Sequence, residues 1–221
     1  MNIFCWDFDG TLVHSNSLWS NSLFKALNET DPNHNVLFSD IRLQLKTGFT
    51  WHTPYNNYSS LTGEKWWDYM NVYLNLGVHS DTAEKACRKI RKVIKRRESY
   101  VLYDDTIGTL EAMENKGINI ILSNNYPDME EVVEKLGLLK YFDRLVVSSL
   151  VGYDKPRTEL FDYAKSFYPG ENNFYMIGDN PAADIDGGKN AGMTTVLVHR
   201  GHSENADYCF DNLFEITQII P

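Results

Sequence analysis

Short apolar runs alternate with longer stretches of helical periodicity over most of this 221-residue chain. The first run, Ile3, Phe4, Cys5 and Trp6, reads as a buried strand that delivers Asp7 and Asp9 into a turn at Gly10. From Tyr103 onward the alternation is regular. Asp105 caps a predicted helix that runs through Leu110 and Met113 and stops at Gly117, and a strand at 118–122 follows. A helix at 129–136, closed by Gly137, leads to a strand at 145–147. A helix after Pro156, carrying Leu160, Phe161 and Ala164, leads to a strand at 174–177, and a helix at 185–191, closed by Gly192, leads to a strand at 195–198. Five strands joined by helical crossovers predict an α/β fold with a doubly wound parallel sheet.

Residues 17–98 break this rhythm. They predict an amphipathic helix (Leu18, Leu23, Leu27), a polar and aromatic loop at 47–63, and helices at 65–76 and 81–97. A helical insert that leaves and re-enters beside the first strand reads as a cap domain, over a catalytic core formed by 1–16 and 99–221. The aromatic residues Trp66, Trp67, Tyr69 and Tyr73 read first as packing and second as a stacking platform for a base or sugar. His52 has no ligand spacing and is assigned no metal.

Composition changes the picture in one respect. The net charge of -9 is uneven: residues 17–98 hold 12 Lys and Arg against 8 Asp and Glu, and the remainder is strongly acidic. An acidic body repels phosphate backbones, so no nucleic-acid polymer is expected as a partner. Eight of the basic residues fall between Lys85 and Arg97, where they read as the solvated face of an amphipathic helix. Cys5, Cys87 and Cys209 form no CxxC pair, Asp7 interrupts the N-terminal apolar run, and no run approaches about 18 apolar residues. The expectation is a cytoplasmic protein with reduced thiols, without secretory signal or membrane partner; oligomeric state is left open.

Chemistry concentrates at the strand ends. Side chains alternate along an extended segment, which puts Asp7 and Asp9 on one side, where they repel unless a cation or a shared proton intervenes. Ser123 and Asn124 follow the second strand and offer a hydroxyl and a backbone N–H suited to a phosphate oxygen. Lys155, ahead of Pro156, supplies a fixed cation past the third strand. Asp179 and Asp184 follow the fourth, and their carboxylates suit a hard cation such as Mg²⁺.

In this order the motifs resemble the haloacid dehalogenase superfamily, and more narrowly its phosphatases with a helical cap after the first strand. DFDGTLV matches the first motif, Ser123 with Asn124 the second, DKP at 154–156 the third and GDNPAADIDGGKNAGM the fourth. Thr158 stands where a proline is often found, and Gly188 where alanine is common. The resemblance implies strand order 5-4-1-2-3 and a Mg²⁺-dependent phosphomonoesterase acting on a small phosphorylated substrate of the nucleotide or sugar phosphate class. It implies Asp7 as nucleophile, forming an aspartyl-phosphate, and Asp9 as acid and base, with Thr11 orienting it. Gly10, Ser123, Asn124 and Lys155 would hold the phosphoryl group, and Asp7, Asp9 (through its carbonyl), Asp179 and Asp184 the metal. A phosphomutase of the same superfamily is the alternative, and a binding or regulatory protein without turnover is the alternative from another class.

Overall fold

The computed structural model describes residues 1–14, 17–47 and 66–219. Six parallel strands form one sheet: β1 (Asn2–Trp6), β2 (Ile118–Ser123), β3 (Arg144–Val147), β4 (Asn173–Gly178), β5 (Thr194–Val198) and β6 (Tyr208–Phe210), in the spatial order β3-β2-β1-β4-β5-β6. The α/β class is as expected, but the five-stranded order is corrected. Read from the other edge it is 6-5-4-1-2-3, with β6 added beside β5 and Val196 opposite Tyr208. Three residues are too few for an apolar pattern to reveal such an edge strand.

The central strand shows why the sheet is covered on both faces. Ile3 and Cys5 pack with Ile120, Leu122, Val146 and Met176 on one side, under α8 (Thr158–Ser166), which contributes Leu160, Phe161 and Ala164. Phe4 and Trp6 face the other side with Ile121, Ile177 and Val196, under α5 (Thr106–Met113), α6 (Met129–Lys135) and α10 (Ile216–Ile219). Burial on both faces makes β1 a continuous apolar run rather than an alternating one.

Between β1 and β2 lie α1 (Leu18–Asn28), α2 (Phe38–Thr47), α3 (Met70–Asn75) and α4 (Ser80–Ile94), with α1 packed along α4. The chain leaves and returns side by side: His14 N–H donates to the Val101 carbonyl at 2.8 Å, and the Thr106 hydroxyl to the Leu12 carbonyl at 2.8 Å. Helix α2, which was not expected, precedes the expected loop, with its Ile41 and Leu45 buried one helical turn apart. Beyond Thr47 that loop, with His52, lies outside the described residues. Trp66, Trp67, Tyr69 and Tyr73 are buried, and the Tyr73 hydroxyl donates to the Leu23 carbonyl at 2.8 Å, so packing accounts for them.

Two further expectations change. Asp105 stands at the N-cap of α5 as expected, but its side chain makes no capping bond; its carboxylate instead accepts the Leu213 N–H at 2.7 Å. The helix expected at 185–191 is a π-helical turn (Pro181–Asp186) followed by α9 (Gly187–Asn190). Glycine suits this packing because a Cβ on Gly188 would lie 2.9 Å from the Met176 Cβ. The short helix α7 (Ser148–Val151) follows β3 directly. No described helix is long and apolar enough to cross a membrane.

Candidate active site

Because all six strands are parallel, their carboxyl ends share one edge of the sheet, where ligands bind in open α/β folds. With β1 between β2 and β4, Asp7, Ser123 and Asp179 emerge there from neighbouring strands. Asp7 is held by its own N–H, which donates to the Ile177 carbonyl at 2.8 Å. Asp7, Asp179 and Asp184 are buried, and each offers a carboxylate oxygen within 4.8 Å of the others.

The cluster needs cations, and two are present among the described residues. Lys155, 4% exposed, places Nζ 2.9 Å from Asp7 Oδ1 and 2.6 Å from Asp184 Oδ1, and donates to the Leu122 carbonyl at 2.8 Å. Burial opposes its charge, but Asp184 and Asp7 outweigh burial and hold its pKa above the usual lysine range. Asn124 fixes the lysine: its Oδ1 accepts the Lys155 N–H at 2.8 Å and its Nδ2 donates to the Lys155 carbonyl at 2.9 Å. The second cation is Arg200, whose Nε and Nη2 donate to Asp179 Oδ2 at 2.9 and 2.7 Å.

Asp9 has a different setting. Burial first, and then the Asp7 charge, push its pKa up to about 7 from an ordinary 3.8, while the Asn125 amide pulls the other way. Its Oδ2 accepts from Asn125 Nδ2 at 2.8 Å, and its Oδ1 is buried without a hydrogen-bond partner among the described residues. Burial likewise pushes Asp179 and Asp184 above the usual carboxylate range, against the pull of Arg200 and Lys155 respectively. One carboxyl poised to carry a proton beside a charged Asp7 is the pairing that separates an acid from a nucleophile.

Glycines make room for the carboxylates. A Cβ on Gly10, where φ is +88°, would come within 2.5 Å of the Asp179 carboxyl group, and one on Gly178 within 2.1 Å of Asp184 Oδ2. An all-oxygen donor set of buried carboxylates, kept clear of side chains, fits a hard divalent cation.

The structure thus gathers Asp7, Asp9, Gly10, Asp179, Asp184 and Lys155, with Ser123 beside Asn125 at 3.5 Å. Thr11 is buried nearby, but its hydroxyl has no hydrogen-bond partner among the described residues; Asn125, not Thr11, is bonded to Asp9. Asn125 and Arg200 are the residues that reading the sequence missed. The run SNN gives no sign of which Asn faces Asp9. Arg200 was signalled, being a cation just past the fifth strand end.

A model of the haloacid dehalogenase-like hydrolase family matches residues 1–192. Among curated proteins, the pyrimidine 5'-nucleotidase YjjG of Escherichia coli is 32% identical over 122 residues, covering 52% of this chain and 54% of the relative. A phosphoserine phosphatase of Thermus thermophilus is 32% identical over 123 residues, covering 53% and 49%. The chain therefore spans about half the length of these curated relatives. The Bacillus subtilis protein YfnB, solved with bound magnesium, superposes with a TM-score of 0.72 at 20% identity, covering 99% of this chain and 98% of that one. Strand order, clustered carboxylates and a match over residues 1–192 agree: the chain belongs to the haloacid dehalogenase-like hydrolase family.

Proposed function

We propose that the chain is a Mg²⁺-dependent phosphomonoesterase acting on a small phosphorylated metabolite through an aspartyl-phosphate. The observation that carries this reading is the convergence of Asp7, Asp179 and Asp184 on one point, with Lys155 bridging two of them and Asp9 bonded separately. Curated relatives named as a nucleotidase and a phosphoserine phosphatase support the substrate class.

Asp7, Asp179, Asp184 and the Asp9 carbonyl would hold the metal, which when bound supplies a Lewis acid that offsets phosphate charge. Asp7 attacks phosphorus: its carboxylate oxygen bonds to phosphorus as the ester P–O bond breaks, and Asp9 gives its proton to the departing oxygen. Asp9, now a carboxylate, takes a proton from the water that attacks the aspartyl-phosphate and releases inorganic phosphate. Ser123, the Asn124 N–H, the turn at Gly10 and Lys155 hold the phosphoryl oxygens.

Charge decides whether a phosphate can enter. An unneutralised carboxylate about 4 Å from a phosphate charge opposes it by about 4 kcal/mol at an effective dielectric of about 20, roughly three decades in affinity or rate. Lys155 and Arg200 offset two carboxylates. With Asp9 protonated and a divalent cation bound, one positive charge is left over for the substrate.

Residues 17–98 form the cap and 1–16 with 99–221 the core in this reading, and the free thiols of Cys5, Cys87 and Cys209 suit a reducing, cytoplasmic setting. Hydrolysis of a panel of phosphorylated metabolites and p-nitrophenyl phosphate tests the activity. Turnover in Mg²⁺ that EDTA abolishes is the expected result; no turnover of any ester would contradict it.

A further inference from the structure

We propose that Asn125 is the positioning residue for Asp9, and that it assigns the transferable proton to Asp9 Oδ1. The inference rests on the phosphomonoesterase reading and gives a role to a residue that the family motifs leave without one.

The orientation of the Asn125 amide follows from its neighbours. Tyr126 N–H can only donate, and it lies 3.0 Å from Asn125 Oδ1. Nδ2 is therefore the atom 2.8 Å from Asp9 Oδ2. An N–H aimed at Oδ2 makes that oxygen an acceptor and disfavours a proton on it. Oδ1, buried and without a hydrogen-bond partner among the described residues, is left to carry the proton. A proton on an oxygen with no competing acceptor passes to the substrate's bridging oxygen without first breaking a hydrogen bond.

Asn125 is itself held rigidly enough to do this. It is 3% exposed, its backbone N–H donates to the Ser148 hydroxyl at 3.2 Å, and its Nδ2 lies 3.5 Å from the Ser123 hydroxyl. It thus ties the carboxyl ends of β2 and β3 to the acid in the turn after β1. Asn125 does not touch the reacting phosphorus in this account; it acts through Asp9.

A leaving-group series tests this where a general loss of activity would not. Dinitrophenyl, nitrophenyl and phenyl phosphate differ little in shape but increasingly need protonation on departure, and general acid catalysis contributes about 10²- to 10⁴-fold. Asn125→Ala is expected to lose about 10- to 100-fold in kcat/KM on phenyl phosphate and less than about 3-fold on dinitrophenyl phosphate, steepening the leaving-group dependence toward that of Asp9→Asn. Thermal melts check that the variant is folded. If Asn125→Ala is not, Asn125→Ser, which is too short to reach Asp9, carries the same expectation. Equal losses on all three esters, or none, with an active wild type would overturn the assignment of Asn125 alone. No turnover by wild type would overturn the phosphatase reading and this assignment with it.

Discussion

At the scale of single residues, the site is defined by what stands close to a carboxylate. Gly10 has a backbone conformation that costs other residues roughly 1–2 kcal/mol, and its missing Cβ leaves the space taken by Asp179. Gly10→Ala is therefore expected to displace Asp179 and weaken Mg²⁺ binding at least 10-fold by calorimetric titration; unchanged affinity would contradict the placement. Asp9 makes a different prediction. Because the folded chain raises its pKa from 3.8 to about 7, its proton favours the folded state at low pH, and that contribution is lost as pH rises through about 7. In metal-free protein, the melting temperature of wild type should fall relative to Asp9→Asn between about pH 5 and pH 8. A difference independent of pH would mean that Asp9 is not the group that titrates. Asp7, Asp9, Asp179, Asp184 and Lys155 were legible in the sequence because each follows an apolar strand run. Asn125 was not read, because a hydrogen-bond partner 116 residues away leaves no local pattern; Arg200 stood at a strand end like the others, but its partner Asp179, 21 residues away, did not show in the sequence.

At the scale of elements, the basic helix is a bracing element as well as a solvated face. From α4, Arg91 and Lys95 reach the N-terminal end of α6, where Arg91 Nη2 donates to Asp128 Oδ1 at 2.9 Å and Lys95 lies 2.6 Å from Glu131. Burial opposes ionisation of Asp128, but Arg91 and Lys95 prevail and hold it below the usual carboxylate range. Arg96 turns the other way to Glu29 at 3.0 Å, next to the end of α1. A charge run in sequence shows the amphipathic helix but not the partners, which lie on α6 and beside α1. With side chains 37% and 17% exposed, the Arg91–Asp128 pair belongs with partly screened ion pairs. A double-mutant cycle of Arg91→Ala and Asp128→Ala in urea should give a coupling of about 0.5–1 kcal/mol that shrinks in high salt. Zero coupling at low salt would remove the brace. The edge strand β6 and helix α2 escaped the sequence reading for the opposite reason. Each buries too little apolar surface to impose a period: three residues in β6, and Ile41 with Leu45 in α2.

At the scale of the whole molecule, part of the acidic charge outside the insert is gathered at one place. Parallel strands bring carboxylates to a single edge, where buried Lys155 and the more exposed Arg200 offset part of their charge; in the proposed function a divalent cation and the substrate phosphate would complete the balance. The doubly wound sheet was readable because buried parallel strands are apolar on both faces, whereas the length of the sheet and the π-helical turn after β4 depend on packing that no short window contains. The central claim is that phosphoryl transfer passes through Asp7. Rapid acid quench of the enzyme with a ³²P-labelled ester it hydrolyses, followed by peptide mapping, tests this directly. The account predicts a hydroxylamine-sensitive label on the peptide holding Asp7, absent in Asp7→Asn together with turnover; turnover retained in Asp7→Asn, or a label mapped to another residue, would contradict it.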